Sequence, residues 1–248
     1  MTLFNKLRTN QEPDPTHRAS ASPRGPAAPA PRVATSGGGP PGPALATGTT
    51  RLSNGLKDFL WHLEGIGHGH LVDLGPARQT TINFFIERGF KVYTEDLLAT
   101  WKRFLDAEEL RLRELGTKAD ASELTPAGRA VRFLETTLNY PPDTFDAVLA
   151  WDLLDYLEPE LVSELVGRLT TLVRNGGVVL AMFHARKPEA FHRYRVLDGQ
   201  NLELIPAPCP FAPQRVLQNR EISNLFRRFR TSKSFVGRDQ IREGLFVK

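Results

Sequence analysis

The sequence predicts an α/β fold in which short apolar strands alternate with amphipathic helices around a mostly parallel sheet. Three observations carry that expectation. Leu71–Asp96 reads strand, turn, helix, strand, a βαβ unit whose connection is right-handed almost by rule. A leucine-striped helix after Pro159 leads into Val178–Phe183, which is apolar throughout, as a parallel strand buried on both faces requires. The last quarter instead offers two strand pairs, around Asp198-Gly199 and Gly237-Arg238-Asp239, the composition of hairpin turns.

The first fifty residues hold nine of the 19 prolines and six of the 20 glycines, with almost no large apolar residue between Arg8 and Leu45. Such a segment buries too little to offset its chain entropy. Residues 1–50 are therefore expected to be disordered, and residues 51–248 to form one domain. Leu3, Phe4 and Leu7 have helical spacing, in a run too short to hold alone.

Within the domain, Ser53-Asn54 can cap a helix whose apolar face is Leu56, Phe59, Leu60 and Leu63. Gly65–His70 is a glycine-rich loop into the first strand. His62, His68 and His70 raise the question of a metal, but no cysteine or carboxylate stands at ligand spacing beside them. Leu71–Leu74 is the first strand and stops at Gly75-Pro76. Ile82, Phe85 and Ile86 mark a helix closed by Gly89, and Phe90, Val92 and Thr94 alternate as the second strand. Leu97–Leu115 is a long helix with Trp101, Phe104, Leu105, Leu112 and Leu115 facing inward. Thr117–Arg129 reads as a loop, Val131–Leu134 as the third strand and Phe145–Trp151 as the fourth. Pro159 opens a helix striped by Leu161, Leu165, Leu169 and Leu172, ended by Asn175-Gly176-Gly177 before the fifth strand. Tyr194–Leu197 and Leu202–Ile205 form a hairpin, Asn219 caps a helix through Phe226, and Ser234–Val236 pairs with Gly244–Val247.

Net charge is +4, distributed as +3 over residues 1–50, −6 over 51–185 and +7 over 186–248. The basic final quarter could draw in an anionic substrate or a nucleic acid; Phe191 and Tyr194 interleave it too sparsely to support RNA. A single cysteine, Cys209, excludes an internal disulfide framework. No apolar run nears the roughly 20 residues that span a bilayer, and Met1–Asn10 lacks a secretory apolar core. The expectation is a cytoplasmic protein without a membrane partner.

Three segments in this order carry a resemblance. Asp73-Leu74-Gly75 is similar to the start of the D-x-G-x-G-x-G turn of the class I S-adenosylmethionine-dependent methyltransferases. Phe145-Asp146-Ala147-Val148 followed by Leu157 looks like that family's fourth-strand signature. Leu172–Val178, LVRNGGV, resembles its L-x-P-G-G segment. The resemblance covers about Ser53 to Lys248. It implies a three-layer αβα Rossmann-like methyltransferase fold with seven strands, mostly parallel, the last antiparallel. It further implies S-adenosyl-L-methionine as cofactor and methyl transfer to a small-molecule acceptor. On its terms the turn Asp73, Leu74, Gly75, Pro76 and Ala77 meets the cofactor, Asp96 accepts the ribose hydroxyls with Glu95 as the fallback, and Trp151 and Asp152 line the methionine end or the acceptor mouth. Glu135 falls on the adenine side.

Physical chemistry supports part of this assignment. A small residue at the first turn lets backbone approach a ligand closely. Asp96 lies 96 − 73 = 23 residues beyond Asp73, near the roughly 20-residue spacing of dinucleotide folds. A dinucleotide enzyme is the rival, but it wants G-x-G-x-x-G, and Gly75 is followed by Pro76, Ala77, Arg78, Gln79 and Thr80. Ala77 and Gln79 also replace the second and third glycines of the methyltransferase turn, so a non-catalytic module of the same fold stands as the alternative. Candidate bases are Asp152, Asp155, Tyr156 and His184. Arg186, Lys187, Arg193 and Arg195 could hold an acidic acceptor.

Overall fold

The computed structural model describes residues 48–115, 125–237 and 239–248. The expectations for residues 1–47 and for most of Thr117–Arg129 lie outside them. In chain order the elements are β1 (Thr49–Leu52), α1 (Asn54–His62), β2 (Gly69–Asp73), α2 (Gln79–Ile86), β3 (Phe90–Thr94), α3 (Leu97–Leu115), α4 (Pro126–Thr137), β4 (Phe145–Trp151), a 3-10 turn (Leu153–Tyr156), α5 (Pro159–Leu172), β5 (Val173–His184), β6 (Phe191–Val196), β7 (Asn201–Ala207), α6 (Asn219–Leu225), β8 (Thr231–Val236) and β9 (Ile241–Val247).

The central sheet has the order β3-β2-β4-β5-β9-β8. β2 pairs in parallel with β3 and β4, and β4 with β5, while β9 runs antiparallel to both its neighbours. β9 is thus the one strand running against the rest, as expected of the last strand. Side chains alternate between two cores with the period of a pleated strand. Val72, Val148, Val179, Ala181 and Phe246 face α3, α4, α5 and the 3-10 turn. Leu71, Ala147, Leu149, Val178, Leu180 and Leu245 face α1, α2 and the strands β6 and β7. The result is the three-layer arrangement, with one outer layer completed by a small antiparallel sheet of order β1-β7-β6.

Several expectations change. Val131–Leu134 is not a strand: it lies inside α4, so the sheet has six strands, not seven. Thr125 caps α4 through its hydroxyl, which accepts from Gly128 N, and Pro126 fills the first turn. Ala130, Phe133, Leu134 and Leu138 are then buried while Val131 is exposed, a helical period rather than alternation. On α2 the buried residues are Thr81, Phe84 and Phe85, with Ile86 exposed. Asn175-Gly176-Gly177 lies within β5 as an irregularity in its register with β4, Gly176 taking φ +81°. Gln218, not Asn219, precedes α6, its backbone N–H donating to the Glu221 carboxylate.

Candidate active site

The carboxyl edge of the sheet gathers the first turn and the acid after β3. Glu95 N donates to Asp73 O at 2.8 Å, Leu97 N to Leu74 O at 3.1 Å, and Leu74 N to Leu149 O at 2.9 Å. These bonds hold the ends of β2, β3 and β4 at one level, where open α/β sheets bind ligands. The Asp73 carboxylate turns inward: Oδ1 accepts from Gly75 N at 3.0 Å and from Trp151 Nε1 at 2.7 Å. Burial pushes this carboxyl up to about 7; its two hydrogen bonds oppose the rise and the nearby charge of Asp96 adds to it.

Gly75 is required at its position, because a Cβ there would lie 2.4 Å from Trp151 Cδ1. Trp151 itself sits at φ +37°, a conformation costly for a bulky residue and held only where surroundings over-determine it. Here the indole is fixed by Asp73 beneath and by Tyr194 of β6, whose ring stacks on it at 5.0 Å with planes 5° apart. Leu74, Gly75, Pro76, Asp152, Phe191 and His192 join these two rings around a small cavity of about 10 Å³.

Leu74, Gly75, Pro76, Trp151 and Asp152 therefore come together around one space, with Asp73 bracing it from below. Ala77 is exposed, and Gln79 begins α2 with its amide donating to Asn83 Oδ1 at 2.8 Å, so neither narrows the cavity. Asp96 caps α3: Oδ1 accepts from Ala99 N at 3.1 Å and its carbonyl from Thr100 N at 2.9 Å. Glu95 accepts the Tyr140 hydroxyl at 2.9 Å, and burial together with that bond pushes the phenol up to about 12. Glu95 is thus engaged by Tyr140, as Asp96 is by the first turn of α3. Glu135 lies exposed on α4, a consequence of the lost strand. Phe191, His192 and Tyr194 are among the lining residues that sequence reasoning assigned no place here. They sit on β6, held through β7 to β1 at the other end of the domain sequence, and nothing local in the sequence signals that pairing.

All four candidate bases meet beside this cavity. His184 ends β5; its backbone N donates to Asp155 Oδ2 at 2.8 Å, and its Nδ1 stands 2.9 Å from the same oxygen. The carboxylate accepts, so Nδ1 carries the proton, and Nε2 faces Asp152 Oδ2 at 3.6 Å. Asp152 and Asp155 are fully buried, and Asp152 has the Tyr194 hydroxyl and the His184 ring as its polar neighbours. Burial pushes Asp152 up to about 7, with His184 pulling it down and Asp155 pushing it further up. Tyr156 stands edge-on to the imidazole, and burial raises its phenol. Arg242 of β9 donates to the His184 carbonyl at 2.9 Å. A second cavity of about 270 Å³, lined by His184, Arg186, Lys187, Ala190, His192 and Gln240, shares His192 with the first.

Among the described residues no three His, Cys, Asp or Glu are grouped to hold a metal ion. Nor is any helix among them long and apolar enough to cross a membrane.

No protein-family model and no curated protein matches the chain. Solved structures do. A 1,6-didemethyltoxoflavin-N1-methyltransferase from Burkholderia thailandensis, with bound 1,6-didemethyltoxoflavin and S-adenosylhomocysteine, is similar at 15% identity over 78% of this chain and 76% of that one, with a TM-score of 0.41. The glycopeptide N-methyltransferase MtfA, complexed with S-adenosyl-L-methionine, matches at 16% identity over 79% and 94%, with a TM-score of 0.39. A SAM-dependent methyltransferase from Methanosarcina mazei matches at 13% identity over 76% and 96%, with a TM-score of 0.43.

Proposed function

We propose that the chain is an S-adenosylmethionine-dependent methyltransferase acting on a small-molecule acceptor. One observation carries the reading: two buried carboxylates, Asp73 and Asp152, stand at the carboxyl edge of the sheet, both pushed up to about 7 by burial. A cation brought beside them would favour their charged forms, and the cofactor is a cation twice over, at its sulfonium and its ammonium. Asp152 lines the cavity beside Tyr194 and His184; Asp96, one strand over, would take the ribose. When bound, the cofactor supplies an electrophilic methyl group. The chain's own residues would orient the acceptor, exclude water and take any proton it must lose.

Size favours a second reading. The cavity of about 10 Å³ is far smaller than the roughly 300–1,000 Å³ of ordinary ligand sites, and the Trp151 ring fills the space above Gly75. On the first reading that ring must swing off Tyr194 to admit the cofactor; on the second the fold is a non-catalytic module and the ring is a permanent plug. Calorimetric titration with S-adenosylmethionine and S-adenosylhomocysteine separates them. The first reading expects micromolar binding, lost in Asp96→Ala and equal or tighter in Trp151→Ala. No heat at millimolar cofactor in either wild type or Trp151→Ala would leave only the module.

A further inference from the structure

The larger cavity lies beside the first: they share His192, and His184, which lines the larger, faces Asp152, which lines the first, with Asp155 behind the imidazole. We propose that this cavity is the acceptor site, that it takes a small anion bearing an acidic hydroxyl, and that His184, positioned by Asp155, receives the hydroxyl proton. The inference rests on the methyl-transfer reading for its purpose, but not for its geometry.

Three features converge on it. About 270 Å³ comes close to the roughly 300 Å³ at which small-molecule sites begin. The rim is basic where it is free: Asp239 is matched by Arg51 at 2.8 Å, which leaves Arg186 and Lys187 facing Glu189 alone. Among the described residues neither cation makes an ion pair, and both side chains are exposed. The third feature is the imidazole. A buried carboxylate bonded to Nδ1–H fixes the tautomer and stabilises the imidazolium, the arrangement by which a histidine is made a base. Asp155 makes that bond twice over, to the ring and to the backbone N–H of His184, so the lone pair stays on Nε2.

The chemistry selects the acceptor. An amine can attack with its lone pair and shed its proton afterwards, whereas a hydroxyl is a weak nucleophile until a base takes its proton. The acceptor O–H bond breaks, its electron pair stays on oxygen, and the proton passes to Nε2. The imidazolium is then balanced by Asp155, with Asp152 at 3.6 Å. Tyr156 of the 3-10 turn, His192 and Tyr194 of β6, Arg242 of β9 and the rim cations Arg186 and Lys187 are the other titratable or charged groups around it.

The test needs no methyl donor. The full chain is titrated with 4-hydroxy-3-nitrobenzoate, whose phenolate is coloured, at a pH where the free phenol is mostly protonated. Wild type is expected to bind the dye and turn it to phenolate. The uncharged 4-hydroxy-3-nitrobenzamide and the double variant Arg186→Gln/Lys187→Gln should each weaken binding about tenfold, as loss of partly screened ion contacts implies. His184→Gln and Asp155→Asn should bind the dye without the colour, and Asp155→Glu should restore part of it, a pattern that a purely structural role would not produce. Thermal melts establish that each variant is folded; the two rim substitutions are on exposed side chains and keep the test decisive if the buried variants do not fold. Dye bound colourless by wild type, or affinity indifferent to both rim cations, overturns the proposal. If the dye ionises while calorimetry finds no cofactor binding, the methyl-transfer reading fails and the anion and proton site stands; the reverse pair of results does the opposite.

Discussion

At the scale of single residues, Asp73 is the side chain on which turn, indole and charge converge, and its protonation has a measurable consequence. Its carboxyl titrates near 7 in the folded chain, against about 3.9 when unfolded. Between those values the folded state holds a proton that the unfolded state has released. Stability therefore falls as pH rises from about 4 to about 7 and is level above that. Asp152 adds a slope of the same sign over the same window. Asp73→Asn keeps an acceptor for Gly75 N and Trp151 Nε1 and removes one of the two slopes. Urea unfolding at about pH 5 and about pH 8 should show the loss between them shrink by on the order of 1–3 kcal/mol. An unchanged difference would mean that Asp73 is ionised throughout. The residues of the turn were legible in the sequence because strand, glycine and acid are local signals. Trp151 was placed at the site too, but its stack on Tyr194 was not legible, because a contact between β4 and β6 depends on where a separate sheet docks.

At the scale of elements, α4 shows where reading by pattern misleads. Val131-Arg132-Phe133-Leu134 alternates well enough to pass for a strand when viewed as four residues. Extended to Thr125-Pro126 at one end and Leu138 at the other, the same run has a cap, a first-turn proline and a helical stripe. The longer window decides, since a helix declares itself only over several turns. Thr125→Ala removes the bond to Gly128 N and should lower stability by about 1 kcal/mol, seen as a shifted urea midpoint with an unchanged slope. A shift within error would show that the end of α4 is held by packing alone. By contrast α3, β3, β4, α5 and the final hairpin fall where their periodicity puts them, each marked by a stop or start residue in the chain itself.

At the scale of the whole domain, the two sheets are joined by a buried ion pair. Arg51 of β1 reaches Glu243 of β9 at 2.7 Å, and Glu243 also accepts from Gly55 N at the start of α1. Both side chains are nearly inaccessible, at 7% and 2% exposure. Removing Arg51 strands the buried Glu243 charge, so Arg51→Ala should cost about 3–5 kcal/mol; Glu243→Ala should cost less, because Arg51 keeps Asp239 at 2.8 Å. The double variant should cost clearly less than the sum of the two; strict additivity would show that the residues act independently. Sequence alone offers no hint of this joint, since a lone arginine in a short strand and a lone glutamate in another carry no mark of each other.

β5 has a further consequence in the order of assembly. Its wholly apolar stretch is lined on one side by β4, its near neighbour in the chain, and on the other by β9, five elements later. A nascent or refolding chain therefore completes β2, β3, β4 and β5 before the strand that shields the free flank of β5 can arrive. For that interval a greasy, hydrogen-bonding edge is open to other chains, the condition under which folding and aggregation compete. Closing it is a long-range event and hence a slow one. The hairpin of β8 and β9 is thus the chaperone of its own sheet as well as its last strands.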